Sequence, residues 1–506
     1  MSDSAPDVSE GLLPRVTREL AKVAALQALG AVLAPAAAFA LWRLLDARDF
    51  GVYAIGALFL GVGSLVGNEG IAAALLLKKD ALTDEECEVS GTFLVMLGVA
   101  SAALFLAASG VIARRYHLTG AEAWMLRGMA PLFLASPLRA MSSLRLQRAL
   151  RLGEVARIEV VAGVAQEVAS VLLAWLTRDA WALIGGHLVG ALLQTALVWR
   201  AAPGFSRLSL RWRVLRPVLA YGLQVQGLSV AAFLKDNLSP AYLGLVVGPG
   251  AVGVFTFAVR YAQLPVTLVN TFARPQLSVY ARFEAGDPRL LAAVTAVTRT
   301  ALLLGLALLV GITVGAPVII PAFYGAGWLP GVPVVYGLVA NMAGGLLAGP
   351  LFALLQAQGR AGLALRVFAV WTAGTWGLVL ALHGEGIAAV AWAHSTMTVA
   401  TVLWLVRWAE QHLGGSLLEG YTRALAAALV ALGATWATRF VPGLASVFKN
   451  SWAAAGAAVI LYAGLLLALE RGRVVRELRW LWGHLAGAVR GWLDAKRGAG
   501  RVTAPP

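Results

Sequence analysis

From about residue 20 onward the chain alternates between apolar runs and short breaks rich in charge, proline or glycine. A hydrocarbon core about 30 Å thick is crossed by about 20 residues of helix, each rising about 1.5 Å. The runs have that length. They predict an all-α polytopic membrane protein with about fourteen transmembrane helices. The helices start near residues 20, 51, 90, 120, 157, 181, 217, 249, 290, 330, 362, 386, 420 and 451. Helix is the expected form because lipid offers no partner for backbone N–H and C=O groups, so each span must satisfy its own.

The last segment has a different pattern. Leu478, Leu481, Trp482, Leu485, Val489, Trp492 and Leu493 recur at helical spacing opposite Arg479, Arg490, Asp494 and Lys496. A helix of that kind is expected to lie in the headgroup layer, with partner binding as the alternative.

The pattern also repeats. Phe50-Gly51-Val52-Tyr53-Ala54 opens the second run and Val252-Gly253-Val254-Phe255-Thr256 the eighth, an offset of 202 residues. His187 and Arg200 match His394 and Arg407 at an offset of 207. Two six-helix lobes follow, at 15–213 and 214–411. Six spans separate equivalent helices, so the lobes enter with the same orientation around a central cavity. The last two spans, 412–470, form an appendage, and 471–506 a basic cytoplasmic tail.

Composition excludes an ordinary soluble protein: of 506 residues, 59% are apolar and 13% charged, and the mean hydropathy is +0.76. The net charge of +15 points to topology and not to nucleic acid, because the basic residues cluster between apolar runs. Five fall inside spans: Arg127, Arg139, Lys235, Arg260 and Arg299. Of the remaining Lys and Arg, about 29 lie in the N-tail, even loops and C-tail, and about 7 in the odd loops. That bias puts both termini in the cytoplasm and leaves the uncharged loops at 244–250 and 316–332 on the opposite side. The predominance of Arg over Lys, with abundant Ala and Gly, resembles a high-GC bacterial coding sequence, and the bacterial inner membrane is the expected location.

Cys87 is the only cysteine, so neither an intramolecular disulfide nor a CxxC metal site is expected. It is read as an inert thiol in a short loop. Met1 to Pro14 has no basic n-region and no A-x-A site, so a cleaved signal peptide is not expected. No phosphate loop, HExxH or GxSxG is present, and the loops are too short to hold an ATPase. The chain is therefore read as a non-enzyme without a cofactor, drawing on an ion gradient, the membrane potential or the substrate's own gradient.

Charge inside a bilayer is costly and marks functional candidates. Span two carries Glu69, span four Arg127, span five Glu159 and Glu167, span seven Lys235 and Asp236, and span eight Arg260. Facing one cavity, Arg260 and Lys235 form a phosphate-sized positive site. The alternative is that Arg260 is neutralised by Asp236 or Glu69. Glu159 is expected near the membrane edge beside Arg157, and Glu167 deeper. His187 and His394 are read as packed polar residues bonded to a neighbour, with a proton relay as the alternative. Pro35, Pro131, Pro137, Pro217, Pro265, Pro275 and Pro350 suggest helices bending around a cavity. The pairs Gly63/Gly67 and Gly186/Gly190 suggest close helix contacts.

Three stretches resemble the Wzx-type oligosaccharide flippases of the multidrug/oligosaccharidyl-lipid/polysaccharide exporter superfamily. They run from Asp49 to Glu86, from Leu234 to Pro265 and from Ala273 to Leu290. Asp236-Asn237 matches the family's Asp-Asn of span seven, and Arg260-Tyr261 its Tyr-Arg-like turn of span eight. Glu69 stands where the family usually has Asp, and Lys235 is less typical. The resemblance implies a V-shaped pair of lobes rocking between inward-open and outward-open states. Its implied cargo is an undecaprenyl-pyrophosphate-linked oligosaccharide for O-antigen, capsule or exopolysaccharide, with membrane lipids around it and a polysaccharide polymerase as downstream partner.

On this reading Arg260, with Lys235 or Arg127, binds pyrophosphate, and Asp236, Glu69 and Glu167 serve pairing or ion coupling. Drug or cation antiporters of the same fold are the alternative, as are flippases of the lipid-linked peptidoglycan precursor. The first would favour a cavity dominated by acids. The second would be expected to carry more arginines in the first two spans than the single Arg43.

Overall fold

The structure, a computed structural model, describes residues 36–437 apart from 66–67, 79, 81, 274–275, 277–279, 282 and 285–286, together with residue 26 and residues 452–470. Most of the run expected near residue 20 and the whole amphipathic segment at 478–493 lie outside the described residues, as do Pro35 and Pro275; the described end of that run, 36–44, is helical. The described elements are helical. They are α1 (Ala47–Leu65), α2 (Asn68–Leu77), α3 (Asp84–Arg115), α4 (Gly120–Arg127), α5 (Leu132–Arg148), α6 (Leu152–Thr177), α7 (Trp181–Ala201), α8 (Trp212–Val246), α9 (Pro249–Ala273), α10 (Pro288–Ile319), α11 (Val332–Ala357), α12 (Ala361–Ala381), α13 (Ile387–Leu413), α14 (Leu418–Ala437) and α15 (Trp452–Glu470). Among the described residues, nine helices are long and apolar enough to cross a membrane. The protein is a multi-pass membrane protein. Every run expected from the second to the fourteenth overlaps a described helix.

Local chemistry sets the helix ends. Thr83 and Thr119 each build a capping box: each threonine hydroxyl accepts from the N–H three residues on, and Glu86 and Glu122 accept from the threonine N–H. Pro131 interrupts the fourth run, which becomes α4 and α5 with a tight turn between them. Asp287 caps α10 by accepting from the N–H of Arg289 (2.8 Å), with Pro288 at the first helical position. The backbone and guanidinium donors of Arg289 hold the Asp287 carboxyl below the usual carboxylate range. Cys87 lies buried in the first turn of α3 and not in a loop, because the Thr83 cap starts the helix earlier than the apolar run does.

The chain divides into two compact units. The first holds the described part of Met1–Val259 with Ile320–Val334 and Phe368–Val390. Within it α6 lies along α7, and the small residues explain why. A Cβ on Gly186 would overlap Ser170 Oγ, and one on Gly190 would lie 2.7 Å from Gln166 Cβ. The Gly186/Gly190 pair therefore serves packing inside the chain. Gly186→Val should force α6 and α7 apart, and the purified protein should melt several degrees lower, read by a thermal scan in detergent.

One end of the first unit is closed by backbone contact and aromatic packing. A Cβ on Gly51 of α1 would overlap the carbonyl oxygen of Pro249, and a Cβ on Gly253 of α9 would overlap that of Ala47. Both pairs are related by the offset of 202 residues that the sequence showed. Beside them Trp42 stacks on Phe50 at 4.1 Å and meets Phe257 and Trp328 at 4.7 and 4.8 Å. Trp328 Nε1 donates to the Trp42 carbonyl (2.7 Å), and Arg43 donates to the carbonyls of Ala322 and Phe323 (3.1 and 3.3 Å). Residues 322–328 belong to the uncharged connection between α10 and α11.

The second unit holds Arg260–Ile319, Val335–Val367 and the described part of Ala391–Pro506. There α14 and α15, expected as an appendage, pack against α10 and against each other. Tyr421 and Tyr462 are buried in that packing, with Tyr421 Oη 2.5 Å from Thr298 Oγ1 and Tyr462 Oη donating to the Leu303 carbonyl (3.3 Å). A polar clamp joins α11 to α13: Thr398 Oγ1 donates to Asn341 Oδ1 (2.8 Å), and Ser395 Oγ accepts from the Asn341 N–H (2.9 Å).

Candidate functional site

The first unit holds a cavity of about 330 Å³ between α1, α3, α5 and α7, lined by both apolar and polar side chains. Gly61, Gly63 and Ser64 on α1, Gly98 and Ser101 on α3, and Ser136 and Pro137 on α5 line it. The three glycines are packed tightly, since a Cβ on Gly61 would meet the Phe233 ring, one on Gly63 the Phe133 ring and one on Gly98 the Phe133 carbonyl. Arg139 and His187 line the same space. Tyr53, one helical face away on α1, is bonded to His187: the phenol oxygen is 2.9 Å from Nδ1. Glu159 on α6 is within electrostatic reach of Arg139, and Arg139 within reach of His187.

Arg139 is the informative residue. An arginine at the centre of a span costs about 2.5–3.5 kcal/mol on insertion scales, so its presence calls for a compensating partner or a ligand. Among the described residues that line the cavity it is the one with a full charge, and no salt bridge within 4 Å is found for it. The sequence reading counted it among the basic residues inside spans but not among the site candidates; its place at the end of the mostly apolar run from Pro131 to Leu138 was the available signal.

The residues singled out from sequence do not converge on this cavity. Lys235 and Asp236 are brought together on α8, with Nζ 2.5 Å from Oδ1, and the ammonium lies 5.1 Å from the centre of the Trp371 ring on α12. Asp236 is exposed and Lys235 half-buried. Arg127, at the end of α4, donates from Nε to Ser109 Oγ (3.0 Å) and lies 4.7 Å from the Trp124 ring centre. Arg260 is exposed on α9 and makes no ion pair among the described residues, so Asp236 is taken by its own neighbour. Glu167 lies half-buried on α6 with a partner. Glu69 falls on α2, and its side chain lies outside the described residues.

The second unit holds a cavity of different chemistry, about 840 Å³, between α10, α11, α13, α14 and α15. Leu306, Val314, Leu347, Leu403, Leu429 and Trp436 are typical of its wall. Such a surface suits hydrocarbon.

A helical membrane protein with these elements is similar to solved transporters. The lipid II flippase MurJ in an inward closed conformation aligns with a TM-score of 0.68 at 13% identity, covering 88% of this chain and 99% of that one. An inward-facing multidrug resistance MATE family transporter of the MOP superfamily aligns at 0.56 and 16% identity, covering 75% and 94%. The fold is thus MurJ/MATE-like. A family model described as polysaccharide biosynthesis protein matches residues 40–333, more than half of the chain, and the chain belongs to that family. It is similar to the teichuronic acid biosynthesis protein TuaB of Bacillus subtilis (strain 168), 23% identical over 419 residues, covering 79% of this chain and 84% of TuaB. It is also similar to the lipopolysaccharide biosynthesis protein WzxC of Escherichia coli (strain K12), 21% identical over 336 residues, covering 63% of this chain and 65% of WzxC.

Proposed function

We propose that the protein is a flippase that moves undecaprenyl-pyrophosphate-linked oligosaccharide from the cytoplasmic to the outer leaflet of the bacterial inner membrane, for surface polysaccharide assembly. The observation that carries this reading is a cavity lined by Arg139, His187 and three serines among the helices of a chain of the polysaccharide biosynthesis protein family. A saccharide cannot cross hydrocarbon with its hydroxyls unpaired, since each such group costs several kcal/mol. A polar cavity inside the span removes that cost. The apolar cavity of the second unit offers the opposite chemistry, fit for the lipid tail.

The remaining roles follow from the same reading. Arg260, with Lys235 or Arg127, binds the pyrophosphate, and Asp236, Glu69 and Glu167 serve pairing or ion coupling. The two six-helix lobes at 15–213 and 214–411 alternate access to a central cavity between the leaflets, with both termini cytoplasmic. The flipped unit then passes to a polysaccharide polymerase. Deletion of the gene tests the reading. Undecaprenyl-linked repeat units should accumulate on the cytoplasmic face and surface polysaccharide should be lost. An intact surface with altered drug sensitivity alone would refute it.

A further inference from the structure

We propose that the cavity between α1, α3, α5 and α7 is a subsite for a single carboxylate-bearing sugar of the translocated saccharide, recognised by Arg139 and His187 together. The proposal rests on the flippase reading and assigns one part of its cargo.

Charge decides between the anions such a cargo carries. Among the described residues, Arg139 is the one full positive charge lining the cavity, and Glu159 on α6, which neither lines the cavity nor forms a salt bridge with Arg139, offsets only part of it, so the wall balances at most one negative charge. A pyrophosphate brings two or more negative charges and would remain uncompensated in a low-dielectric cavity, where unpaired charge is most costly. A sugar carboxylate brings one. A planar guanidinium also matches a carboxylate with two parallel N–H···O bonds.

The second donor comes from His187. Its Nδ1 is engaged with the Tyr53 hydroxyl at 2.9 Å. When Tyr53 donates, the neutral imidazole carries its proton on Nε2, so the free nitrogen is a donor for the ligand. Tyr53 is thus a positioning residue that sets the tautomer. The remaining polar wall suits sugar hydroxyls. Ser64 donates its own proton to the Gly61 carbonyl (2.8 Å), leaving its oxygen to accept, and Ser101 and Ser136 add two more hydroxyls. The volume of about 330 Å³ lies at the lower end of ligand pockets, the size class for one ring and not for an oligosaccharide.

The test uses the purified full-length protein in lipid nanodiscs and three probes at matched ionic strength: methyl glucuronide, methyl glucoside and inorganic pyrophosphate. Thermal unfolding is followed as each is titrated. Methyl glucuronide should raise Tm saturably, methyl glucoside much less, and pyrophosphate should neither stabilise nor compete. Arg139→Gln should weaken methyl glucuronide binding about tenfold or more, the scale of a lost charge-assisted pair. Arg139→Lys should retain part of it. Tyr53→Phe should weaken it by a smaller factor, and His187→Gln, which keeps a donor, should restore most of the affinity in the Tyr53→Phe background.

If Arg139→Gln fails to fold, Arg139→Lys and Tyr53→Phe carry the test at nearly constant volume. Equal stabilisation by the neutral glucoside, preference for pyrophosphate, or a response unchanged in both variants would overturn the assignment. Failure here is distinct from failure of the flippase reading. Without glucuronide binding, a deletion strain that still accumulates lipid-linked saccharide leaves the flippase reading standing. Binding in a protein whose deletion spares the surface polysaccharide keeps the anion site and removes the flippase.

Discussion

Replacing Gly51 by leucine is expected to abolish function while leaving the protein in the membrane at its normal level. A Cβ at this position meets the backbone carbonyl of Pro249, which cannot swing aside as a flexible side chain would. The start of α1 must then separate from the start of α9. With that separation the packing of Trp42, Phe50, Phe257 and Trp328 is lost, a cluster in which all four rings are buried. Overpacking of this kind costs about 1–3 kcal/mol or more, enough to reverse the preference between two conformations that differ by a few kcal/mol.

Gly253→Leu should have the same effect through the Ala47 carbonyl. Combining the two should add little, because one contact is already broken by either. The readouts are complementation of the deletion strain and labelling of Ala54→Cys by an impermeant thiol reagent. The sole native cysteine, Cys87, is buried and gives a low background. Faster labelling in the Gly51→Leu background and loss of complementation are expected. Unchanged labelling with full complementation would show that this end has no part in transport.

Arg260→Ala should abolish complementation with normal protein levels. Arg260 is exposed, makes no ion pair among the described residues, and follows a stretch of α9 that is apolar and buried from Ala251 to Phe255. Its neighbour Tyr261 is fixed by a hydrogen bond from Oη to the Ile312 carbonyl (2.9 Å), which anchors the helix at this turn. Lysine keeps the charge but loses the planar pair of donors, so Arg260→Lys should recover only part of the activity. Lys235→Ala should cost less. Its ammonium is already engaged by Asp236 and the Trp371 ring, and only part of its charge is available to a substrate. Retained function in Arg260→Ala would remove the phosphate role from this residue.

The spans were legible because membrane insertion imposes a length and a composition that a chain shows as runs. At Pro131 the sequence suggested a bend, and the structure shows a full break, since proline lacks the N–H that a helix interior needs. Pairings between distant residues were not. Tyr53, Arg139 and His187 stand on separate helices, and nothing in the local pattern around any one of them identifies the other two. Arg139 was legible as a basic residue inside a span, and only the convergence of α1, α3, α5 and α7 gives it a cavity. The likeness of Phe50–Ala54 to Val252–Thr256 was legible. Its physical reason, two glycines that each admit the other helix's carbonyl, appears only when α1 and α9 are seen together. Lys235 and Asp236 are adjacent in sequence, so their pairing was the simplest outcome, and it withdraws Asp236 from Arg260.

Transbilayer movement itself is the most direct measurement. Purified protein is reconstituted into liposomes that contain a fluorescent undecaprenyl-pyrophosphate-linked saccharide, and an impermeant glycosidase is added outside. With the protein present, the enzyme should reach nearly all of the saccharide. In protein-free liposomes, or with Gly51→Leu, it should stop near the outer-leaflet half. Cleavage that stops at half with active, folded wild-type protein would contradict the account.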